Sequence, residues 1–129
     1  MPAGFRFQLD VQSGVPAYRQ IIDQVMVGMA SGMLSSGDQL PTVRQLAVDL
    51  CITPNTVARA YKEMEVRGVL DTQQGIGTFI SHKKIPGKQA ERQRQLSQMV
   101  GEFLARAGGA GFTVAEVLER IEEAQGDKR

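Results

Sequence analysis

The sequence has no tryptophan, one cysteine and one histidine, and aromatic residues make up only 5% of its 129 residues. A lone cysteine excludes a disulfide framework within the chain, and the scarcity of aromatic rings argues against a stacking platform for single-stranded nucleic acid. His82 has no second histidine or acidic cluster at the spacing of metal ligands. We therefore expect neither a metal site nor a cofactor.

Long apolar runs are also missing. No segment approaches the ~18–20 apolar residues of a membrane span, and the N-terminus shows no charged stretch followed by an apolar one, as a secretion signal would. The 42% of apolar residues nevertheless suffice for a core. We expect a cytoplasmic protein without a membrane partner, built as one compact domain plus an appendage.

Charge is unevenly distributed, although the net charge is only +1. Residues 1–82 carry 6 basic and 7 acidic residues, residues 83–106 carry 6 and 2, and residues 107–129 carry 3 and 5. The middle stretch, at +4, is either a solvated linker and helix face or a phosphate-contacting segment. The sequence leaves both interpretations open.

Hydrophobic spacing predicts the first elements of the chain. Residues 5–10 alternate apolar and polar side chains and predict a short strand, with a turn at 12–16. Apolar residues then recur at helical spacing over residues 17–34, which predicts a helix with a broad buried face. Thr42 is expected to cap a second helix, with Gln45 completing a capping box.

A third helix is predicted to begin directly after a tight turn at 51–52. Thr53 is a good N-cap and Pro54 suits the first helical position. Gly68 ends this helix at its C-cap, and its inward face is predicted to consist of Val57, Ala60, Tyr61 and Met64. Segments 69–73 and 78–81, joined by a glycine-rich tip, predict a hairpin.

Two short helices joined by a tight turn are typical of a helix-turn-helix, and the following hairpin suits a wing. In such a motif the N-terminus of the second helix enters the major groove. Asparagine pairs with adenine there, and threonine contacts thymine. The sequence thus predicts a mainly α fold with a small β wing, namely a winged helix-turn-helix DNA-binding domain over residues 1–82.

Four motifs resemble the DNA-binding domain of the GntR family of bacterial transcription regulators. They are SGVPAYRQI, GDQLPTVRQLA, ITPNTVARAYKEMEVRGVL and GIGTFI, in that order between residues 13 and 81. The short helical tail and the PNTVARAY segment resemble the YtrA-type subfamily. The resemblance implies an operator-binding repressor that acts on double-stranded DNA, together with a small-molecule effector at the dimer interface or between the domains.

The resemblance also implies which residues contact DNA. Arg44 matches a family arginine near the start of the second helix, although pairing with Asp49 is its alternative role. The exposed face of the recognition helix and the wing tip supply the others: Thr53, Asn55, Thr56, Arg59, Gly75, Gly77 and Thr78.

The chain departs from the family pattern at two places. Relatives often carry basic residues at the wing tip, where this chain has Gln73 and Gln74, so a wing contact with DNA stays open. Cys51 stands where glycine is common in the turn. We expect it to be a small buried side chain rather than a redox sensor, since nothing nearby obviously lowers its pKa.

Residues 83–88 read as a linker, and residues 89–129 as a two-helix dimerisation region. The helix predicted over 89–107 carries an apolar stripe that one further short helix, capped by Thr113 and Glu116, cannot cover. We expect a two-fold homodimer formed through Leu96, Met99, Val100, Phe103 and Leu104. So short a tail is expected to leave no room for a large effector pocket.

Two other classes of function are alternatives to DNA binding. A winged-helix protein–protein adaptor is the alternative, since residues 1–82 are nearly neutral and the wing is not basic. An enzyme is not expected, because the sequence has no paired carboxylates in a motif, no nucleophile elbow and no phosphate-binding loop. The GIGTFI segment lacks the strand-then-helix context of a dinucleotide loop. No catalytic residue is therefore assigned.

Overall fold

The computed structural model describes residues 4–82 and 87–125. The chain divides into two units, Met1–Lys83 and Lys84–Arg129. In the described part, the first unit holds α1 (Ala17–Ser31), β1 (Gln39–Leu40), α2 (Val43–Leu50), α3 (Pro54–Val66), β2 (Leu70–Gln73) and β3 (Gly77–Ile80), and the second holds α4 (Gln89–Gly109) and α5 (Val114–Ala124). Among the described residues, no helix is long and apolar enough to span a membrane.

Helix α1 ends three residues earlier than its hydrophobic pattern predicts. Gly32 follows Ser31 in the left-handed conformation, with φ of 83°, and stops the helix. Leu34 nevertheless remains buried, and its backbone N–H donates to the carbonyl of Gly28 at 2.9 Å. The apolar pattern therefore continues past the helix because a loop residue completes the same core.

The strand predicted over residues 5–10 is wrong. The segment pairs with side chains of α1 instead of a neighbouring strand: Gln24 accepts from the Gln8 N–H at 2.8 Å and donates to its carbonyl, and Gln20 does the same for Asp10. Phe7 is buried as the alternation indicates. The alternating pattern thus predicted the burial of Phe7 correctly. The backbone hydrogen bonds of the segment, however, are made with side chains of α1 and not with another strand.

The core of the first unit lies where α1, α2 and α3 pack together, with strand residues closing one side. The inward face predicted for α3 is confirmed, and its members are buried: Val57, Ala60, Tyr61 and Met64. The capping box of α2 is also confirmed, because the Gln45 N–H donates to Thr42 Oγ1 and the Thr42 N–H donates to Gln45 Oε1, each at 3.1 Å.

The described strands form one antiparallel sheet in the order β1-β3-β2. In the predicted hairpin, Thr72 pairs with Thr78 and Leu70 with Ile80. Strand β1, whose Gln39 lies opposite Phe79, was not predicted from the sequence. A strand of two residues is too short to show a period of two, so only its pairing with β3 reveals it.

Cys51 is exposed, contrary to the expectation of a buried side chain. It ends α2 in the left-handed conformation, with φ of 57° and ψ of 44°. Its turn is closed by the Ile52 N–H, which donates to the Ala47 carbonyl at 3.0 Å. A residue with a Cβ pays about 1–2 kcal/mol for this conformation, which glycine adopts freely.

Replacing Cys51 with glycine is therefore expected to raise the free energy of unfolding by about 0.5–1 kcal/mol, because relief of strain exceeds the larger chain entropy that glycine loses. Urea denaturation at constant m-value measures the change. Cys51→Ala is the matched control, since it removes the thiol but keeps the Cβ. Equal stability of the glycine and alanine variants would contradict the strain argument.

The second unit consists of α4 and α5, neither of which has a buried residue. The predicted capping box of α5 is confirmed, with the Glu116 N–H donating to Thr113 Oγ1 at 3.2 Å. Helix α4 runs to Gly109, two residues beyond its predicted end. Most of the predicted linker, residues 83–86, lies outside the described part of the chain, as do residues 126–129.

Candidate nucleic-acid interface

The N-terminus of α3 is built as the sequence predicts. Thr53 is the N-cap and its Oγ1 accepts from the Thr56 N–H at 3.3 Å, while Pro54 occupies the first turn. The two threonine hydroxyls also bond to each other, with 2.9 Å between their Oγ1 atoms. Both hydroxyls thus hold the helix start together, which leaves them less free for an outside partner.

Asn55 is the unengaged polar group of this first turn. Its side chain is exposed, and it has no hydrogen bond to any residue of the described ranges 4–82 and 87–125. The amide keeps both a donor and an acceptor available, which is the set that pairs with an adenine edge. The backbone N–H groups of the same turn add a partial positive charge that favours phosphate.

Arg44 lies in the first turn of α2 with its side chain exposed. It lines a shallow cleft together with Asp49, yet no ion pair joins them, and Arg44 has no acidic partner in the described part of the chain. The alternative role as a partner of Asp49 is thus not realised in this structure. The guanidinium remains available for an external anion or base edge.

Tyr61 joins the start of α2 to the middle of α3. Its ring is buried, and its hydroxyl donates to the carbonyl of Pro41 at 2.7 Å, one residue before the Thr42 cap. Burial raises the pKa of the Tyr61 phenol above its ordinary value of 10.0. The hydroxyl stays protonated and ties the middle of α3 to the segment that precedes α2.

Replacing Tyr61 with phenylalanine is expected to lower the free energy of unfolding by about 1 kcal/mol, because one hydrogen bond is lost. Since the folded-state pKa is raised, the parent also loses stability as pH rises above 10.0, where only the unfolded tyrosine ionises. The variant should lack that loss. Chemical denaturation at pH 7 and pH 11 measures both effects. Tyr18→Phe is the control, because the Tyr18 hydroxyl has no hydrogen-bond partner among the described residues. A pH dependence equal to that of the parent would contradict the assignment.

Arg59 lies one turn further along α3, and its guanidinium stacks on a ring of α1. The guanidinium carbon is 3.7 Å from the ring centroid of Tyr18. Arg19 approaches the same ring at 5.8 Å, and it also pairs with Glu63 at 4.0 Å. Tyr18 lies in the segment 17–34 that shows helical spacing of apolar residues, and this spacing contains no signal for a contact with α3.

The wing tip is held by a residue that the sequence analysis did not single out. The side-chain amide of Gln39, in β1, donates to the carbonyl of Ile76 at 3.3 Å. Gly77 has φ of 148°, a conformation that favours glycine, and a Cβ there would also displace the same amide. Gly75 is exposed in the turn with φ of 78°, and Thr78 shares a hydroxyl contact of 3.3 Å with Thr72.

The predicted DNA-contacting residues all belong to the first unit, but their availability differs. Arg44, Asn55 and Arg59 have exposed side chains with no acceptor or acid in the described residues, whereas the hydroxyls named above already have partners. In the same described ranges, no group of three or more histidine, cysteine or acidic side chains could hold a metal ion. The arrangement provides a rigid helix terminus with free amide and guanidinium groups.

The sequence matches a known family over most of the first unit. Residues 17–80 match the family described as bacterial regulatory proteins, gntR family. The HTH-type transcriptional repressor YtrA of Bacillus subtilis (strain 168) is 37% identical over 124 residues, which cover 93% of this chain and 92% of that protein.

Solved structures agree with this match. YtrA from Sulfolobus acidocaldarius, described as a GntR-family transcription factor, is 28% identical, with a TM-score of 0.57 over 76% of this chain and 96% of its own. A transcriptional antiterminator from Listeria monocytogenes EGD-e reaches a TM-score of 0.69 over 96% of both chains. Its identity is 24%, so it shows a shared fold.

One assignment follows from three observations. The chain is similar to a relative over nearly the whole of that relative, it matches a known family, and it has a winged helix with an exposed recognition helix. The role is that of a transcription regulator and not of an enzyme. This chain belongs to the gntR family of bacterial regulatory proteins, as a DNA-binding transcription regulator of the YtrA type.

Proposed function

We propose that this regulator is a repressor that binds an inverted-repeat operator in double-stranded DNA as a homodimer in the cytoplasm. The observation that carries the proposal is the exposed first turn of α3, where Asn55 is free of other described side chains. A two-fold dimer presents two such helices to two half-sites one helical turn apart or at a multiple of that spacing. The repressor role is supported by the name of the 37% identical relative.

Within this proposal, the exposed groups of the first unit have separate tasks. Asn55 reads a base edge, and Arg44 contacts a base edge or a phosphate from the start of α2. Thr53 and Thr56, whose hydroxyls bond to each other, offer methyl groups to thymine and hydroxyl oxygens as acceptors. Arg59 contacts the DNA from the second turn of α3.

The wing contributes mainly through its backbone. Gly75 and Gly77 let the chain come close to the sugar–phosphate backbone, and Thr78 follows Gly77 in β3. Because Gln73 and Gln74 replace basic residues at this tip, we assign it a hydrogen-bonding rather than a charge-pairing contact.

Phosphate attraction is assigned mainly to the basic stretch at 83–106. The first 82 residues carry a net charge of −1, which is unfavourable for a polyanion, whereas this stretch carries +4. In its described part, Lys88, Arg92 and Arg94 are exposed on or beside α4. We propose that residues 83–88 link the DNA-binding domain to the dimerisation region at 89–129, and that the charge of the basic stretch attracts the operator phosphates.

Dimerisation is assigned to the α4 stripe, defined as Leu96, Met99, Val100, Phe103 and Leu104. The first four are 46–58% exposed although apolar, and Leu104 is half-buried. An unpaired stripe of this length favours association, since packing it against a second copy removes apolar surface from water. Pairing around a two-fold axis closes the assembly at two chains.

A cleft of about 520 Å³ lies between α4 and α5, which differs from the expectation of a tail without a roomy pocket. Phe103 belongs both to the α4 stripe and to the wall of this cleft, together with Ala107 and Ile121. We assign the cleft to the same dimer interface, because its apolar wall continues the stripe. A small-molecule effector would then bind where the two tails meet.

The proposal is tested by footprinting this protein on the DNA upstream of its own gene. Protection of two half-sites about 10 base pairs or a multiple apart is expected. Affinity for that fragment should fall steeply with salt, by a log–log slope of about −0.9 for each phosphate neutralised. A reporter under that promoter should be expressed less when the protein is present.

Two results would count against the proposal in different ways. Absence of a specific complex at every salt concentration would instead support the adaptor interpretation. Protection together with increased reporter expression would keep DNA binding and overturn repression. Repeating the footprint with candidate ligands tests for an effector, since a true effector changes protection at constant protein concentration.

A further inference from the structure

The contact between Tyr18 and Arg59 has a geometry that matters for DNA reading. The guanidinium carbon of Arg59 lies 3.7 Å from the ring centroid, which is stacking distance. Tyr18 is half-buried in the first full turn of α1, so the ring is fixed by the core beneath it. A side chain of α1 thus provides a rigid platform for a side chain of the recognition helix.

Stacking engages the face of the guanidinium and leaves its edges free. The N–H donors of arginine point outward in the guanidinium plane, so contact through the face does not consume them. Arg59 is exposed and has no hydrogen-bond acceptor or carboxylate partner in residues 4–82 and 87–125. The donors that a base edge or phosphate would need therefore remain available.

The neighbouring Arg19 has different partners from Arg59. Arg19 lies 5.8 Å from the same ring and shares Glu63 with Arg67, whose guanidinium is 2.6 Å from the carboxylate. Glu63 thus neutralises charge on the Arg19 side of the patch. Arg59 contacts an aromatic ring and not a carboxylate. Its position is therefore restricted, while its positive charge is not neutralised.

We propose that Tyr18 is a positioning residue for operator recognition, which holds the Arg59 guanidinium in place before DNA arrives. Arginine has large rotamer freedom, and binding loses affinity when that freedom is lost in the complex. Stacking on a fixed ring removes part of this loss in the free protein. The proposal rests on the proposed DNA-reading role of Arg59 and adds a residue that does not itself touch DNA.

The test is a double-mutant cycle measured as dissociation constants for the footprinted DNA fragment. Tyr18→Leu is expected to weaken binding about 3- to 10-fold, because the ring is lost while an apolar side chain remains. Tyr18→Phe keeps the ring and should bind like the parent. In an Arg59→Ala background, Tyr18→Leu should cause no further loss, since the side chain it positions is already absent.

Thermal melting of each variant separates positioning from folding. Equal loss of affinity from Tyr18→Leu with and without Arg59 would overturn the proposal and indicate a general effect on the fold. Parent-like affinity of Tyr18→Leu would overturn it as well. Parent-like affinity of Arg59→Ala would remove the DNA contact on which it rests, whereas failure of the parent itself to bind the fragment would overturn the proposed function.

Discussion

Replacing Phe103 with aspartate is expected to convert the proposed homodimer into a monomer and to weaken operator binding by about 100-fold or more. Phe103 is 46% exposed within one chain, so the variant should keep the fold of both units. In a dimer, however, the new carboxylate would be placed among the apolar side chains of the interface, which is unfavourable even with Arg106 beside this position. Linked binding to two half-sites contributes about 10²- to 10⁴-fold in affinity, and a monomer loses it.

Light scattering and footprint affinity measure the two consequences separately. Val11→Asp is the matched control, because it introduces the same charge at an apolar residue that is 90% exposed in the N-terminal segment. This control should remain dimeric and bind the fragment like the parent. A monodisperse dimer formed by the Phe103→Asp variant would contradict the assignment of the α4 stripe.

Arg44→Ala and Asn55→Ala are each expected to weaken specific DNA binding by about 1–3 kcal/mol, or roughly 5- to 150-fold. The structure supports this size of effect because both side chains are exposed and, among the described residues, neither has a partner to compete with DNA. The Tyr61 hydroxyl ties the middle of α3 to the segment before α2, which limits movement of one helix against the other. In the proposed complex, removing either group would leave a base edge or a phosphate unpaired.

Salt titrations distinguish the kinds of contact. Loss of a phosphate contact should reduce the log–log salt slope by about 1 and weaken all sequences alike, whereas loss of a base contact should relax preference at one position. Arg6→Ala is the control for Arg44→Ala, since it removes the same charge from an exposed residue of the same unit. Parent-like operator binding by both folded variants would contradict the recognition-helix assignment.

The parts of the fold that were predicted correctly depend on interactions between residues close together in the sequence. The caps at Thr42, Thr53 and Thr113 form as expected, because an N-cap bonds to backbone groups two or three residues away. The burial of Phe7 and the inward face of α3 could also be predicted, since periodicity indicates which side chains share a face.

The predictions that failed depended on partners far away in the sequence. Residues 5–10 show strand alternation, but Gln20 and Gln24 of α1 supply the hydrogen bonds. Strand β1 has too few residues for a pattern and exists only through its pairing with β3. Cys51 was predicted to be a small buried side chain, yet the left-handed turn after α2 places it at the surface.

The sequence by itself determined the order of helices and hairpin, the helix starts and the polar face of the recognition helix, because those features depend on local backbone chemistry. The tertiary structure decided which polar groups are free. Arg44 forms no ion pair with Asp49, the Thr53 and Thr56 hydroxyls bond to each other, and the Arg59 guanidinium stacks on Tyr18. Those outcomes depend on distances between elements that only packing sets, and sequence spacing does not encode such distances.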